Sequence, residues 1–123
     1  MIKYNARVTA IGPLTSEFIE AGILVLFGED APEELVEFSI IHDGKELDGE
    51  VAAGDNILIG EEAFNVLAVG EVANSNLSNL GHFILKFNGE TEVEMPGDIC
   101  VEAKPIPAIA LGTHIRIESN NQE

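Results

Sequence analysis

The chain has 123 residues and a formal net charge of −16, from 22 acidic and 6 basic side chains. This length corresponds to one domain, and its core needs no disulfide or metal. So acidic a surface excludes binding to nucleic acid or anionic lipid, which requires clustered lysine and arginine. No apolar run is long enough to insert into a membrane, and the single cysteine, Cys100, favours a reducing cytoplasm.

The first part of the chain alternates between strand and short-helix patterns. Residues 2–11 alternate apolar and polar side chains, which predicts a half-buried strand. Residues 12–22 predict a loop or one helical turn, and the apolar run 23–28 predicts a buried strand. Residues 29–38 predict a short helix capped by Asp30.

The next segment places a histidine against a turn. Residues 38–41 predict a strand that is followed by His42, and Asp43-Gly44 then favours a two-residue hairpin that would set His42 opposite Lys45. Both side chains would stand at the rim of an apolar surface, where the ammonium lowers the pKa of the imidazole. His42 is then either a solvated residue beside a tight turn or a nucleophile, with Lys45 offsetting the charge of a phosphoryl group.

The second half of the chain predicts short strands and a helix. Residues 72–81 predict a helix closed by Gly81, and Asn88-Gly89 predicts a hairpin between the segments 82–87 and 90–95. Residues 104–112, with two prolines, predict a connection. Further strands are expected at 46–51, 56–60, 63–70, 99–103 and 114–119.

One turn pattern recurs at uneven spacing, as Gly54-Asp55, Gly97-Asp98 and Gly112-Thr113, each before a strand. A device reused to turn corners, together with about eight short strands, predicts an all-β fold. The expected architecture is a small closed or partly open barrel or sandwich with one or two short helices. Residues 1–119 are expected to form a single domain and residues 120–123 a frayed tail.

Other chemistry has weaker support in the sequence. Cys100 lies in an apolar strand and is read as a small core residue. His114 is expected on the solvent face of its strand, and His82 at a strand entry. A metal site would require His42, His82 and His114 to converge in space, because their spacing matches no zinc motif.

Three segments in fixed order resemble a known family, the glucitol/sorbitol-specific enzyme IIA component of the bacterial phosphotransferase system. The segments are residues 31–42 with Glu46-Leu47 and Gly49 shortly after, residues 66–89, and residues 95–107. The likeness covers nearly the whole chain, and the ordered combination is what makes it specific.

The resemblance implies roles for particular residues. The histidine that accepts a phosphoryl group in the family matches His42. Some members carry a second histidine two residues later, where this chain has Gly44. Lys45 is this chain's own candidate for stabilising charge, inferred from the predicted hairpin. His82 is a candidate orienting partner by analogy with unrelated IIA folds.

The resemblance also implies partners. The phosphocarrier HPr would donate the phosphoryl group, which would pass to the cognate IIB domain and then to a hexitol entering through the membrane IIC domain. The carrier itself would need no metal or nucleotide cofactor and no membrane insertion. A barrel-like fold, a cytoplasmic location and a homodimer with exchanged segments are expected on the same basis.

Two alternatives remain open at the level of sequence. The chain could be a non-catalytic acidic barrel that recognises a basic protein, in which case its binding would weaken with salt and ignore His42. It could also be a degenerate relative kept as a regulator. The intact histidine within its motif favours catalysis over both.

Overall fold

The fold is a closed barrel of eight strands, seen in a computed structural model that describes residues 2–119. Three short helices lie in the connections of this described part. In chain order the elements are β1 (Ile2–Ile11), α1 (Thr15–Glu20), β2 (Ile23–Gly28), α2 (Glu33–Val36), β3 (Ile40–His42), β4 (Asn56–Ile59), β5 (Glu62–Val69), α3 (Ala73–Leu80), β6 (Phe83–Lys86), β7 (Asp98–Val101) and β8 (His114–Glu118). The tail predicted at residues 120–123 lies outside the described residues.

Around the barrel the strands follow the order β1, β3, β2, β6, β7, β5, β4, β8, and β8 pairs with β1. The pairs β2–β3 and β6–β7 are parallel, and the other neighbours are antiparallel. Closure leaves no free sheet edge. The predicted all-β barrel is therefore confirmed, with one helix more than expected. Within residues 2–119, no helix is both long and apolar enough to cross a bilayer.

The barrel interior is filled by the apolar faces of the strands. In β1, Tyr4, Ala6 and Val8 are buried while Asn5 and Arg7 are exposed, as the alternation predicts. The largest fully buried side chains come from all eight strands and from α3: Tyr4, Leu24, Leu26, Ile40, Ile57, Ile59, Phe64, Leu77, Phe83, Leu85, Ile99 and Ile115.

Both predicted hairpins are wrong. After β3 the chain forms no strand until Asn56, so the strand expected at 46–51 is absent. Residues 90–95 likewise form no strand, and β6 pairs with β2 and β7 instead. The turn dipeptides favoured hairpins locally, but β1 and β2 occupy the two edges of β3, and β2 and β7 occupy those of β6. Asp30 does not cap α2 either, since Pro32 stands at its N-cap.

The recurring turn is confirmed as one structural device. Asp55 Oδ2, Asp98 Oδ2 and Thr113 Oγ1 each accept a hydrogen bond from the backbone N–H three residues earlier, at 2.9, 3.1 and 2.9 Å. The backbone N–H of each also donates to the carbonyl of that earlier residue, at 3.1, 3.1 and 3.0 Å. The paired bonds close each turn and direct the chain into β4, β7 and β8.

Two of these turns also hold a buried ion pair. Asp98 is 1% exposed, and Lys86 Nζ donates to its Oδ2 at 2.9 Å from the neighbouring strand β6. Asp55 pairs with Lys3 of β1 at 2.7 Å. The lysines compensate carboxylates that would otherwise be buried without a counter-charge.

Lys86→Met should destabilise the fold by about 3–5 kcal/mol, because it leaves the Asp98 carboxylate buried without its cation. Urea unfolding followed by circular dichroism measures this loss. The matched control Lys45→Met removes an exposed pair with Glu29 and should change stability by less than about 0.5 kcal/mol. Adding Asp98→Asn to Lys86→Met should restore part of the loss; no recovery in the double variant would contradict the ion-pair explanation.

Candidate active site around His42

His42 is the last residue of β3, and strands on both sides hold it. It pairs with Val8 of β1 and with Gly28 of β2. All three residues of β3 are buried, and His42 exposes 0% of its surface. The prediction that the ring stands at the rim of a surface beside a hairpin is therefore wrong, because the ring is fully buried and residues 43–55 form no return strand.

The covering segment, residues 43–52, forms neither helix nor strand and is called the strap below. Near its start, the backbone N–H of Asp43 donates to the Arg7 carbonyl at 3.1 Å. Further on, the N–H of Asp48 donates to the Lys3 carbonyl at 2.8 Å. These bonds lay the strap along β1, and between them Gly44 contacts the imidazole through its N–H.

Two backbone groups hold the ring of His42. Its Nε2 lies 2.7 Å from the carbonyl oxygen of Gly81, and its Nδ1 lies 3.1 Å from the N–H of Gly44 in the strap. A carbonyl can only accept and a backbone N–H can only donate. The neutral ring therefore carries its proton on Nε2 and its lone pair on Nδ1.

The ring is kept uncharged mainly by its surroundings. Burial lowers the pKa of His42, against the raising effects of the Gly81 carbonyl and of the Asp43 and Glu29 carboxylates. The Lys45 ammonium also lowers this pKa, but it is the smallest of these influences. An uncharged imidazole has the lone pair that a nucleophile requires.

A depression of about 210 Å³ opens beside the strap at this point. Gly44 and Lys45 of the strap form one side, and Gly28, the strand partner of His42, lies opposite. The remaining lining residues come from the β2–α2 connection and the end of α3: Glu29, Asp30, Asn79 and Leu80. Gly44 therefore borders the depression and also contacts His42 Nδ1.

Comparison with known proteins identifies the family. The sequence model described as PTS system glucitol/sorbitol-specific IIA component matches residues 3–116. Proteins named PTS system glucitol/sorbitol-specific EIIA component from Shigella flexneri and Escherichia coli (strain K12) are each 38% identical over 117 residues, 94% of either chain. The crystal structure of the PTS system IIA component from Enterococcus faecalis V583 superposes with a TM-score of 0.78 at 27% identity, covering 90% of this chain and 96% of that one.

The chain belongs to the glucitol/sorbitol-specific IIA family. It is thus a transferase component of the phosphotransferase system and a phosphoryl carrier. The resemblance drawn from three sequence segments is confirmed. His42 is a fully buried imidazole, and its strand partner Gly28 and its hydrogen-bond partner Gly44 both line the nearby surface depression.

Lys45 lies near His42 but not across a hairpin from it. Its side chain is 75% exposed, and its Nζ is 3.6 Å from Glu29 Oε1. The ammonium therefore stands at the mouth of the depression, not against the ring. Lys45 lies near His42 because it follows Gly44, whose N–H bonds the ring.

His82 is adjacent to the site but bonded elsewhere. Its ring stacks on Phe27 with centroids 4.1 Å apart, and its Nδ1 lies 3.0 Å from the Leu26 carbonyl oxygen. The group that contacts His42 Nε2 is the carbonyl of the preceding residue, Gly81. Anchoring of His82 on β2 thus helps to fix the chain that carries this carbonyl.

Sequence reasoning missed Gly81 and Tyr4 as parts of the site. Gly81 ends α3 with a φ of 64°, and a Cβ there would lie 3.0 Å from His42 Cε1 and 2.9 Å from the backbone nitrogen of Gly28. The Tyr4 ring stands edge-on to His42 with centroids 5.7 Å apart. Gly81 was visible as a helix terminator, whereas Tyr4 gave only the signal of a core residue.

The three histidines do not converge. His114 bonds Asn5 through its Nε2, while His42 and His82 contact the backbone groups given above. Within residues 2–119, no group of three His, Cys, Asp or Glu side chains is arranged to hold a metal ion. Cys100 is buried, as predicted for a core residue.

The burial of His42 predicts its pKa, and its two hydrogen bonds predict its tautomer. Its pKa should lie below 6.5, and at pH 7.5 its proton should be on Nε2. Since the unfolded chain takes up the proton that the folded ring refuses, this group contributes stability above about pH 6.5 that is lost as pH falls towards the folded pKa. Long-range ¹H–¹⁵N NMR through a pH titration measures both the His42 pKa and the tautomer of its ring. An Nδ1–H tautomer or a His42 titration midpoint above 6.5 would contradict this prediction.

Proposed function

We propose that His42 carries the phosphoryl group, and that it does so on Nδ1. The observation that carries the proposal is the pair of backbone hydrogen bonds to the ring. The Gly81 carbonyl accepts the Nε2 proton, and the Gly44 N–H donates to the Nδ1 lone pair. Removing the Gly44 contact leaves a neutral imidazole already oriented for attack. Pre-orientation of this kind supplies a large part of the rate enhancement in group transfer.

The donor is phospho-HPr and the acceptor the cognate IIB domain, in a relay that ends in glucitol/sorbitol uptake. The His42 Nδ1 lone pair forms the new N–P bond, while the electron pair of the old N–P bond returns to the donor nitrogen. The donor ring changes from a phosphorylated imidazolium to a neutral imidazole. The His42 ring changes from a neutral imidazole to a phosphorylated imidazolium. No proton has to move, because Nε2–H remains on the Gly81 carbonyl.

Transfer requires the strap to open over the ring. Gly44 has no side chain, and its N–H bond to Nδ1 is the longer of the two that hold the imidazole. A docking partner that lifts the strap between Asp43 and Asp48 would expose Nδ1 without disturbing β3. The net charge of −16 supports electrostatic attraction of a basic partner to this surface.

Lys45 and His82 would assist without touching the reacting nitrogen. The Lys45 ammonium at the depression would offset phosphoryl charge amid Glu29 and Asp43, two carboxylates that act on His42. His82, fixed to Leu26 and Phe27, would position the Gly81 carbonyl. The cytoplasmic location and the homodimer implied by the family stay predictions.

The full burial of His42 favours a second candidate, a regulatory relative whose strap stays closed. Such a protein would still bind its partner through the acidic surface. It would not accept a phosphoryl group, and binding would be unchanged in His42→Gln. Labelling therefore separates the two functions.

Incubation with phosphoenolpyruvate, enzyme I and HPr should label the wild-type protein with an acid-labile, base-stable phosphate. His42→Gln should abolish the label, whereas His114→Gln, a control histidine whose ring bonds Asn5 instead of the backbone groups that hold His42, should retain it. Phosphorus–nitrogen NMR should place the phosphate on Nδ1. Persistent labelling of folded His42→Gln would reject the site, and phosphate on Nε2 would mean that the ring leaves Gly81.

Lys45→Gln should slow phosphorylation by about two- to fivefold, the effect expected of one exposed charge, and should raise the His42 pKa slightly. Lys104→Gln is the matched control, because Lys104 pairs with Glu102. Stopped-flow labelling and NMR titration measure the two effects. Equal rates and equal pKa values in Lys45→Gln and wild type would remove Lys45 from the mechanism.

A further inference from the structure

The hydroxyl of Tyr4 has no partner although it is buried. Tyr4 is 2% exposed, and its Oη has no hydrogen-bond partner among residues 2–119. A buried hydroxyl without a partner is destabilising, and phenylalanine would fill the same space without this penalty. The tyrosine hydroxyl therefore needs an explanation other than packing.

Gly44 lies between this hydroxyl and the nitrogen proposed to react. Its N–H bonds His42 Nδ1 at 3.1 Å, and a Cβ built on it would lie 2.5 Å from Tyr4 Oη. The Tyr4 ring stands edge-on to His42, with an interplanar angle of 88°. When Gly44 lifts, the space it leaves is bordered by Nδ1 on one side and by the unpaired hydroxyl on the other.

We propose that Tyr4 Oη and His42 Nδ1 frame a phosphoryl-binding subsite, in which the tyrosine hydroxyl donates a hydrogen bond to an oxygen of the phosphoryl group on His42. The inference rests on the proposed function of His42. It assigns a catalytic role to a residue of β1, far from the phosphohistidine motif in sequence. Gly44 occupies the subsite while the ring is unphosphorylated.

The protonation state of the Tyr4 hydroxyl suits it to donate a hydrogen bond to the phosphoryl group. Burial, with a smaller effect of the Asp43 carboxylate, raises the pKa of Tyr4 to about 12, so it remains a donor at neutral pH. A neutral donor stabilises developing phosphoryl charge and does not require a counter-ion when the subsite is empty. The exposed Lys45 ammonium, by contrast, is screened by solvent.

Tyr4→Phe tests the proposal. It should slow phosphoryl transfer from phospho-HPr to His42 by about ten- to a hundredfold, the effect of losing one hydrogen bond to a charged group. It should also shorten the lifetime of the phosphohistidine, while the melting temperature stays equal to that of the wild type or rises. Thr15→Val, which removes a buried hydroxyl that bonds the Gly12 carbonyl, is the matched control and should leave transfer unchanged.

The outcomes separate this inference from the proposed function. If His42→Gln is unlabelled and Tyr4→Phe transfers at the wild-type rate, the Tyr4 subsite is overturned and His42 stands. If folded His42→Gln is labelled, the proposed function itself has failed. Slow transfer in a Tyr4→Phe protein of undiminished stability supports the subsite, because a packing role predicts no such combination.

A second measurement needs no substitution and decides the matter if Tyr4→Phe does not fold. Tyr4 is the only tyrosine in the chain, so 3-fluorotyrosine labels a single position. Its ¹⁹F resonance should shift on phosphorylation by phospho-HPr, and the shift should be absent in His42→Gln. A resonance unchanged by stoichiometric phosphorylation would overturn the proposal.

Discussion

The contact between His42 Nε2 and the Gly81 carbonyl is the constraint from which the site follows. It fixes the proton on Nε2 and turns Nδ1 towards the strap. The contact exists because α3 ends in a left-handed glycine that fits against Gly28 without a Cβ. The parallel pairing of β2 with β3 then sets Gly28 beside His42. The strand order of the barrel and the end of α3 together therefore fix the position of the His42 ring.

Burial gives the ring two properties that are hard to combine at a surface. It keeps the imidazole neutral by lowering its pKa, and it excludes the water that would hydrolyse a phosphoramidate. The same burial blocks a donor, so a reactive barrel has to carry its cover on a movable segment. The strap contacts the ring through Gly44 without belonging to the sheet, so it is the segment whose movement would uncover Nδ1. Stability then resides in the strands and access in the connection.

The sequence predicts those parts of the fold that depend on local chemistry. Alternation in residues 2–11, the glycine that ends α3 and the repeated Gly-Asp or Gly-Thr turn all appear as expected. The two hairpin predictions were wrong because Asp43-Gly44 and Asn88-Gly89 permit a turn but do not determine which strand pairs with the one before it. The motif indicated His42 as the candidate residue, but its full burial could not be predicted, because residues 43–52 after it have no strand or helix periodicity. Tyr4 escaped notice because an inward side chain on a strand is indistinguishable from core in sequence.

Gly44 shows how closely the strap is fitted to this chain. A Cβ at this position would lie 2.5 Å from the Tyr4 hydroxyl, so a closed strap tolerates no side chain there. The family resemblance includes members with histidine at the matching place, and such a side chain would hold the strap away from Tyr4. Glycine therefore permits a cover that seals the ring fully. The residue that departs from the family pattern is thus the one that contacts His42 Nδ1 and packs against Tyr4.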